Sequence, residues 1–230
     1  MKRQIVLDTE TTGLEHSLGH RVIEIGCVEL VDRRFTGNNF HCYLNPDREI
    51  DAGAIEIHGI TNEFLHNKPH FADIRPELVE FLTDGELVIH NAAFDVGFLN
   101  NELRLDDSDS VLLADICTVV DSLQLARKLH PGQKNNLDAL CKRYGIDNSQ
   151  RTLHGALLDA EILADVYLLM SGGQTAIKLE FEQFGSDSEK NRFSSQREPG
   201  KIIAVDVNSD DLQAHQRWLN ELGEDCVWNR

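Results

Sequence analysis

The sequence lacks long apolar runs and closely spaced cysteines. No apolar stretch approaches the roughly 18 residues that a membrane-spanning helix needs, so we expect no membrane contact. The first four residues lead directly into a predicted strand, without the apolar core of a signal peptide. The five cysteines are scattered and no two have CxxC spacing, which predicts neither a zinc site nor a disulfide framework. We therefore expect a reduced, cytoplasmic protein.

Positive charge is also scarce. The chain has 22 Lys and Arg residues against 39 Asp and Glu residues, a formal net charge of −17. Proteins that hold nucleic acid by charge alone rely on Lys and Arg contacts with phosphates, so this composition disfavours a tight, independent duplex binder. It does not exclude a metal-dependent nuclease, because bound cations can screen the site and a partner can deliver the substrate.

The apolar patterns predict an α/β protein with a mixed sheet covered by helices. Three consecutive strands with short connections favour an antiparallel meander, and strands then alternate with helices. The predicted strands cover 4–8, 21–31, 35–44, 86–90 and 110–117; the predicted helices cover 71–82, 93–105, 119–129, 136–144 and 155–170; and 46–68 has an irregular pattern.

Composition changes after Met170 and predicts three parts, 1–173, 174–200 and 201–230. The stretch 185–200 is rich in Ser, Glu, Gln and Gly, which is typical of a flexible linker. A strand over 202–207 and a helix over 212–222 are predicted to follow. Thirty residues are too few for an independent core, so we expect this tail to dock onto a partner or onto the main domain.

The first strand ends in two acids, Asp8 and Glu10. Residues two apart on a strand point to the same face, so the carboxylates should lie side by side. Two like charges at that distance repel unless a cation lies between them, and Mg²⁺ prefers carboxylate and phosphate oxygens. The alternative is a strand that leaves the core with its polar end in water.

Three further residues support a site. Asp95 falls in the first turn of a predicted helix, although a carboxylate is also favoured there by the helix dipole alone. His154 is expected in the loop before the last helix, with Asp159 one turn inside it; alternatively they are a polar loop histidine and a solvent-facing acid. Four carboxylates without a neighbouring lysine suit two divalent ions, and the histidine can act as a base.

These residues lie in three motifs that resemble those of the Asp-Glu-Asp-Asp exonuclease superfamily, histidine subclass. The motifs are Asp8-Thr9-Glu10-Thr11-Thr12-Gly13, Asn91-x-x-Phe94-Asp95 and His154-x4-Asp159. More closely, the stretches 3–10, 37–40, 87–95 and 152–159 resemble the family of proofreading ε subunits of bacterial DNA polymerase III. The resemblance is strong over 1–175 and implies a ribonuclease H-like fold and a 3′→5′ exodeoxyribonuclease that releases misinserted nucleotides as 5′-monophosphates.

The resemblance also implies roles for the acids and the histidine. Asp8, Glu10 and Asp159 would bind two Mg²⁺ or Mn²⁺ ions directly and lie against the substrate. Asp95 would hold the second ion through water, and His154 would be the general base.

The same resemblance implies a substrate-binding set. The turn from Thr11 to Leu14 would lie against the terminal nucleotide of a DNA primer, with Leu14 beside its base and His58 in contact with it. Gly53 occupies the position where the family often has a glutamate contact, which places that contact in doubt, and Glu56 is the nearby substitute.

Three protein partners are implied. Residues 174–179 (Gln-Thr-Ala-Ile-Lys-Leu) resemble a sliding-clamp peptide, although such short motifs also arise by chance. The tail 201–230 resembles the segment that anchors to the polymerase α subunit, and a small theta-like subunit could bind the exonuclease domain. Two other functions stay open: an RNA 3′-end-trimming exonuclease and a non-catalytic scaffold subunit of a polymerase.

Overall fold

A computed structural model describes residues 2–106, 111–151, 153–172 and 208–222. The chain divides into two units, Met1–Lys178 and Leu179–Arg230. The strands are β1 (Arg3–Thr11), β2 (Val22–Val31), β3 (Arg34–Tyr43), β4 (Glu86–Ile89) and β5 (Thr118–Asp121). The helices are α1 (Ala52–His58), α2 (Asn62–Leu65), α3 (Phe71–Leu82), α4 (Ala92–Asp106), α5 (Leu113–Ile116), α6 (Ser122–Leu129), α7 (Leu137–Tyr144), α8 (Ala156–Ser171) and α9 (Ser209–Leu222).

The five strands form one mixed sheet in the order β3-β2-β1-β4-β5. The first three are antiparallel, as the short connections predict, whereas β1 pairs parallel with β4 and β4 with β5. The predicted α/β fold with a mixed sheet is therefore confirmed. The central strand, β1, joins the antiparallel half of the sheet to the parallel half.

Alternate residues of β1 pack into two hydrophobic clusters on opposite faces of the sheet. Ile5 and Leu7 pack in the cluster that includes residues of α3 and α4. Val6 belongs to the cluster on the opposite face, which includes buried residues of α8. Because side chains alternate along a strand, Asp8 and Glu10 continue the face of Val6 and so point toward α8.

Several predicted boundaries were wrong. The first strand extends to Thr11, not only to residue 8. The strand predicted over 110–117 is instead the short helix Leu113–Ile116, and the fifth strand, Thr118–Asp121, overlaps the start of the predicted helix 119–129. The stretch 46–68 contains two short helices, Ala52–His58 and Asn62–Leu65, which are too brief to show a helical apolar period.

Gly26 allows helix α8 to approach the sheet closely. A Cβ atom at this position would lie 2.3 Å from the backbone nitrogen of Leu157 in the first turn of α8. Gly26 is the partner of Asp8 in the β1–β2 pairing. The absence of a side chain on β2 therefore brings the start of α8, and with it Asp159, onto the strand that carries Asp8.

In the second unit, the structure describes helix α9. It begins at Ser209 with Asp210 and Asp211 in its first turn, where the helix dipole stabilises acidic side chains. The predicted clamp peptide 174–179, linker 185–200 and strand 202–207 lie outside the described residues. Within the described ranges, no helix combines the length and apolar character that crossing a bilayer requires.

Candidate active site

Two carboxylates of the site come from β1. Asp8 pairs across the sheet with Gly26, and Glu10 pairs with Glu24. Glu10 is buried, and both β1 carboxylates line one polar cavity with a volume of ≈ 290 Å³. The expectation that Asp8 and Glu10 lie side by side on one face is therefore confirmed.

Asp95 is placed by the first turn of α4. The turn before the helix contains Asn91 in the left-handed region, with φ of 69°, which reverses the chain after β4. The hydroxyl of Thr9 donates a hydrogen bond to Asp95 Oδ1 at 2.6 Å. Thr9 lies between the two β1 acids, so β1 also fixes the third carboxylate.

Asp159 lies in the first turn of α8, and His154 precedes that helix, as predicted from their spacing. Asp159 is buried with 3% of its surface exposed, whereas 45% of the His154 side chain is exposed. The backbone N–H of His154 donates to the carbonyl of Ile57 at the end of α1. His154 Nδ1 lies 3.3 Å from Asp159 Oδ2.

The cavity brings all five predicted residues together: Asp8, Glu10, Asp95, His154 and Asp159. In particular, Glu10, His154 and Asp159 each offer one ligand atom within 4.8 Å of the others. Hard oxygen donors crowded into one cavity are the ligands that Mg²⁺ and Mn²⁺ prefer. The donor set therefore fits a divalent cation.

Electrostatics support the same conclusion. Burial raises the pKa of Asp8 well above its usual range, and repulsion from Asp95, Glu10 and Asp159 adds to this shift. Burial, together with repulsion from Asp159, raises the pKa of Glu10 to about 8. Burial raises the pKa of Asp95 to about 7, although the Thr9 hydrogen bond opposes the shift. A cation would remove the repulsion that disfavours these carboxylates in their charged form.

Arg151 is the residue that the sequence interpretation missed. Its guanidinium donates to both oxygens of Asp159 and also contacts His154 and Asp138. The acids therefore do have a cation beside them, an arginine rather than a lysine. Its position three residues before His154 was the only available signal, and charge at that spacing is common in loops.

A second cavity adjoins the first and shares Glu10, Thr9 and Phe94 with it. Its volume is ≈ 380 Å³, and it is lined by three predicted nucleotide contacts, Thr11, Leu14 and His58, and by Gly53, the position where the family's glutamate contact was in doubt. Glu56, the suggested substitute for a contact at Gly53, is exposed and is not among the lining residues.

His58 and Leu14 form two contrasting parts of this second cavity. His58 is buried; its Nδ1 accepts a hydrogen bond from the Ile60 N–H, and burial lowers its pKa. Nε2 therefore carries the proton and is the available donor. The Leu14 side chain is 79% exposed at the rim. The cavity thus combines an apolar rim with one buried donor.

A mixed sheet whose adjoining strand and helix ends gather four carboxylates and a histidine defines a metal-dependent nuclease of the ribonuclease H-like class. The sequence model of the family described as Exonuclease matches residues 5–167. Among solved structures, that of exonuclease X in complex with 5′ overhanging duplex DNA is similar, with a TM-score of 0.57, 29% identity, and coverage of 75% of this chain and 93% of that chain.

Two curated relatives are similar over nearly their whole lengths. DNA polymerase III subunit epsilon of Haemophilus influenzae is 50% identical, with 99% of this chain and 95% of the relative covered. The subunit of the same name from Escherichia coli K12 is 50% identical, with 98% of this chain and 97% of the relative covered. The chain belongs to the exonuclease family and, within it, to the DNA polymerase III epsilon subunits, and it is a 3′→5′ exonuclease.

Proposed function

We propose that this chain removes mispaired nucleotides from the 3′ end of a DNA primer and releases them as 5′-monophosphates. The observation that carries the proposal is the pair of adjoining cavities. One gathers the four carboxylates and His154, and the other has an apolar wall and shares Glu10 with the first. The acidic cavity suits phosphodiester hydrolysis, and the apolar cavity suits a terminal base and sugar.

The four carboxylates have two different roles in this proposal. Asp8, Glu10 and Asp159 would bind the divalent ions directly, and Asp95, which is oriented by Thr9, would hold the second ion through water. Two Mg²⁺ or Mn²⁺ ions, when bound, supply charge stabilisation for the attacking and leaving oxygens. The buried carboxylates would hold the positive charge of the ions in place, so the site would not need to reorganise during the reaction.

His154 acts as the general base. A water oxygen attacks the phosphorus as the bond from phosphorus to the 3′ oxygen of the preceding nucleotide breaks. The proton of the water passes to Nδ1 of His154, and the leaving 3′ oxygen takes a proton from solvent. This nitrogen faces Asp159 at 3.3 Å, so the developing imidazolium lies beside a carboxylate. The exposure of the His154 ring leaves it room to reach the water and later to return the proton to solvent.

The second cavity selects a frayed 3′ end. The terminal base would lie along the apolar wall, with Leu14 beside it and the Nε2 proton of His58 directed at the nucleotide. Gly53 leaves space for the sugar, since an added Cβ there would meet nothing within 4 Å, and Thr11 lines the same cavity. A mispaired end costs less to unpair than a matched one, which gives the preference for errors.

Partners compensate for the acidic charge. We propose that 1–173 carries out the chemistry, that 174–179 binds the sliding clamp, and that 201–230 binds the polymerase α subunit; a theta-like subunit on the first part belongs to the same proposal. The names of the relatives as subunits of a polymerase support this arrangement. A flexible tether can raise the local concentration of the substrate to around millimolar. We place this assembly in the cytoplasm.

The decisive experiment is a nuclease assay on a 3′-mispaired primer with Mg²⁺, comparing wild type with Asp8→Ala/Glu10→Ala. We expect a loss of roughly a thousandfold or more, since metal charge stabilisation contributes several kcal/mol. The matched control is Glu161→Ala/Asp165→Ala, which removes two exposed acids from α8 and should retain activity.

Equal activity of wild type and the Asp8/Glu10 variant would show that the site is wrongly assigned. If neither protein cleaved any 3′ end, the scaffold alternative would be favoured. Matched single-stranded DNA and RNA should be compared in the same assay. Faster cleavage of RNA would replace the proofreading proposal with 3′-end trimming of RNA.

A further inference from the structure

Arg151 occupies both oxygens of Asp159. Its Nε lies 2.5 Å from Oδ1, and its Nη2 lies 2.7 Å from Oδ2. The Asp159 side chain is buried, with 3% exposed, and the Arg151 side chain is mostly covered, with 9% exposed. A planar guanidinium matches the two oxygens of one carboxylate, which makes such pairs strong and specific. A cation from the chain itself thus takes the atoms that the proposed function assigns to a metal ion.

The same guanidinium also engages the proposed base. Arg151 Nη2 lies 2.9 Å from His154 Nδ1. Because arginine has no acceptor atom, Nδ1 must accept this hydrogen bond, and the proton of the neutral ring is then on Nε2. A lone pair that accepts from Arg151 is not available to take a proton from water. Arg151 therefore restrains a metal ligand and the base at once.

Asp138 offers Arg151 an alternative partner. Arg151 Nη1 lies 2.8 Å from Asp138 Oδ1, and 58% of the Asp138 side chain is exposed in the first turn of α7. Asn148 donates to the same oxygen, which holds the carboxylate in place. Leaving a buried arginine without a partner would be costly. With Asp138 in contact, Arg151 can leave Asp159 and still keep a carboxylate beside it.

We propose that Arg151 is a positioning residue that holds the metal-free site at rest, occupying Asp159 and His154 Nδ1 until a divalent cation takes Asp159, and then withdrawing to Asp138. The inference rests on the proposed function, because it assumes that Asp159 is a metal ligand and His154 the base. One displacement frees both groups. The withdrawal of Arg151 also removes the hydrogen bond that His154 Nδ1 accepts from it.

The test is calorimetric titration of Mn²⁺ into the metal-stripped full-length chain, without DNA. Arg151→Lys keeps the positive charge but cannot bridge two carboxylate oxygens and a ring nitrogen. We expect this variant to bind Mn²⁺ about tenfold more tightly than wild type, since a charge-assisted bidentate contact no longer competes. Arg151→Gln should bind at least as tightly as Arg151→Lys.

Charge controls separate displacement from general electrostatics. Arg127→Gln removes a positive charge from a neighbouring cavity, which shares His90, Asn91 and Asn136 with the acidic one. Its dissociation constant should stay within about twofold of wild type, because exposed charges are screened. The inference would be overturned if Arg151→Lys had an unchanged or higher Kd for Mn²⁺, or if Arg127→Gln lowered the Kd equally.

Asp138→Asn provides a second measurement that leaves Arg151 in place. Without its alternative partner, Arg151 should compete harder for Asp159, and Mn²⁺ binding should weaken several-fold. Asp147→Asn, which removes an exposed acid after α7, should have no such effect. Unchanged binding in Asp138→Asn would contradict the proposed withdrawal even if an Arg151 variant failed to fold.

Nitrogen NMR of histidine-labelled protein reports on the base directly. The His154 signals are assigned from those missing in His154→Gln. With a chelator present, His154 should be the Nε2–H tautomer with a hydrogen-bonded Nδ1. Mg²⁺ should change the Nδ1 shift, and Arg151→Lys should show the changed shift before Mg²⁺ is added. Identical His154 shifts with and without Mg²⁺ would count against the inference.

Wild type that binds no Mn²⁺ would overturn the proposed metal site as well, whereas unchanged affinity in Arg151→Lys overturns the inference alone.

Discussion

Thr9 shows how one hydroxyl lowers the pKa of a buried carboxyl in the candidate site. It lies between Asp8 and Glu10 in the chain, but its side chain bonds to Asp95 on another element, at 2.6 Å. This hydrogen bond stabilises the charged form of a carboxyl whose pKa burial raises to about 7. Without it, Asp95 would hold its proton more tightly and would be a weaker ligand.

Thr9→Val keeps the shape of the side chain and removes the hydroxyl. We expect the Mg²⁺ concentration needed for half-maximal activity to rise several-fold. We also expect the rising limb of the pH–activity profile to move to higher pH, because the pKa of Asp95 increases. Thr9→Ser, which keeps the hydroxyl, is the control and should behave like wild type. An unchanged pH profile in Thr9→Val would show that this hydrogen bond does not control Asp95.

At the scale of elements, the closeness of α8 to β2 creates the site. An added Cβ at Gly26 would overlap the backbone of Leu157, and backbone cannot move aside as a flexible side chain can. We expect Gly26→Ala to lower the free energy of unfolding by about 2–3 kcal/mol, the upper range for overpacking a core. It should also weaken Mn²⁺ binding, since Asp159 moves with α8.

Gly53→Ala is the matched control for Gly26→Ala in chemical denaturation. An alanine Cβ at Gly53 has open space around it, and alanine favours a helix over glycine by about 1 kcal/mol. This control should therefore be neutral or stabilising. If Gly26→Ala proved as stable as Gly53→Ala, the close approach of α8 would not depend on a missing side chain.

Helix α1 has one side chain that lines the second cavity beside one that does not. Ile57 lines the cavity with 49% of its surface exposed, whereas Glu56 is exposed and does not line it. We expect Ile57→Ala to raise KM for single-stranded 3′ ends by about threefold to tenfold with kcat little changed, because apolar contact area is lost from binding. Glu56→Ala should leave both constants unchanged. An equal effect of Glu56→Ala would restore Glu56 as a substrate contact.

The sequence predicted the longer elements well and the short ones poorly. Helix Phe71–Leu82 has five apolar residues at helical spacing, and the structure has the predicted bounds. The four-residue strand Thr118–Asp121 was missed, because a run this short joined to a helix reads as one pattern. At the start of helix Leu113–Ile116, the Leu112 N–H donates a hydrogen bond to Asp115 Oδ2 at 2.9 Å, a local contact that periodicity cannot reveal.

At the scale of the whole molecule, the buried acids make metal-free stability depend on pH. The pKa of Glu10 is about 8 against an ordinary 4.5, and that of Asp95 is about 7 against 3.8. The folded chain therefore holds these protons more tightly than the unfolded chain. Their contribution is complete below the unfolded values, and it is lost as pH rises through about 7 and 8.

We expect the free energy of unfolding in a metal chelator to fall between about pH 4 and about pH 8, and Mg²⁺ or Mn²⁺ to reduce that fall. Denaturant titration at several pH values is the measurement. Glu10→Gln carries no titrating group and should flatten the slope. A metal-free stability that rises with pH over this range would contradict the shifts of Glu10 and Asp95.

The sequence also predicted which residues meet at the site but not how they contact one another. Spacing placed Asp8 beside Glu10 and put His154 outside the helix that contains Asp159, because both follow from local geometry. The pairing of Arg151 with Asp159 depends on how a loop packs against α7 and α8. Local sequence does not specify such packing, so the contact of the Arg151 guanidinium with Asp159 in the acidic cavity was not predicted.

The pairing of β1 on both sides has a consequence for how this chain tolerates changes in length. Deleting one residue between Arg3 and Asp8 would turn both β1 acids to the opposite face of the sheet or break the register with β2 and β4. A deletion in the exposed connection 15–19 changes no strand pairing and leaves the alternation of side chains along β1 intact. Insertions and deletions accepted by natural variation should therefore gather in that connection, while β1 should vary only by substitution.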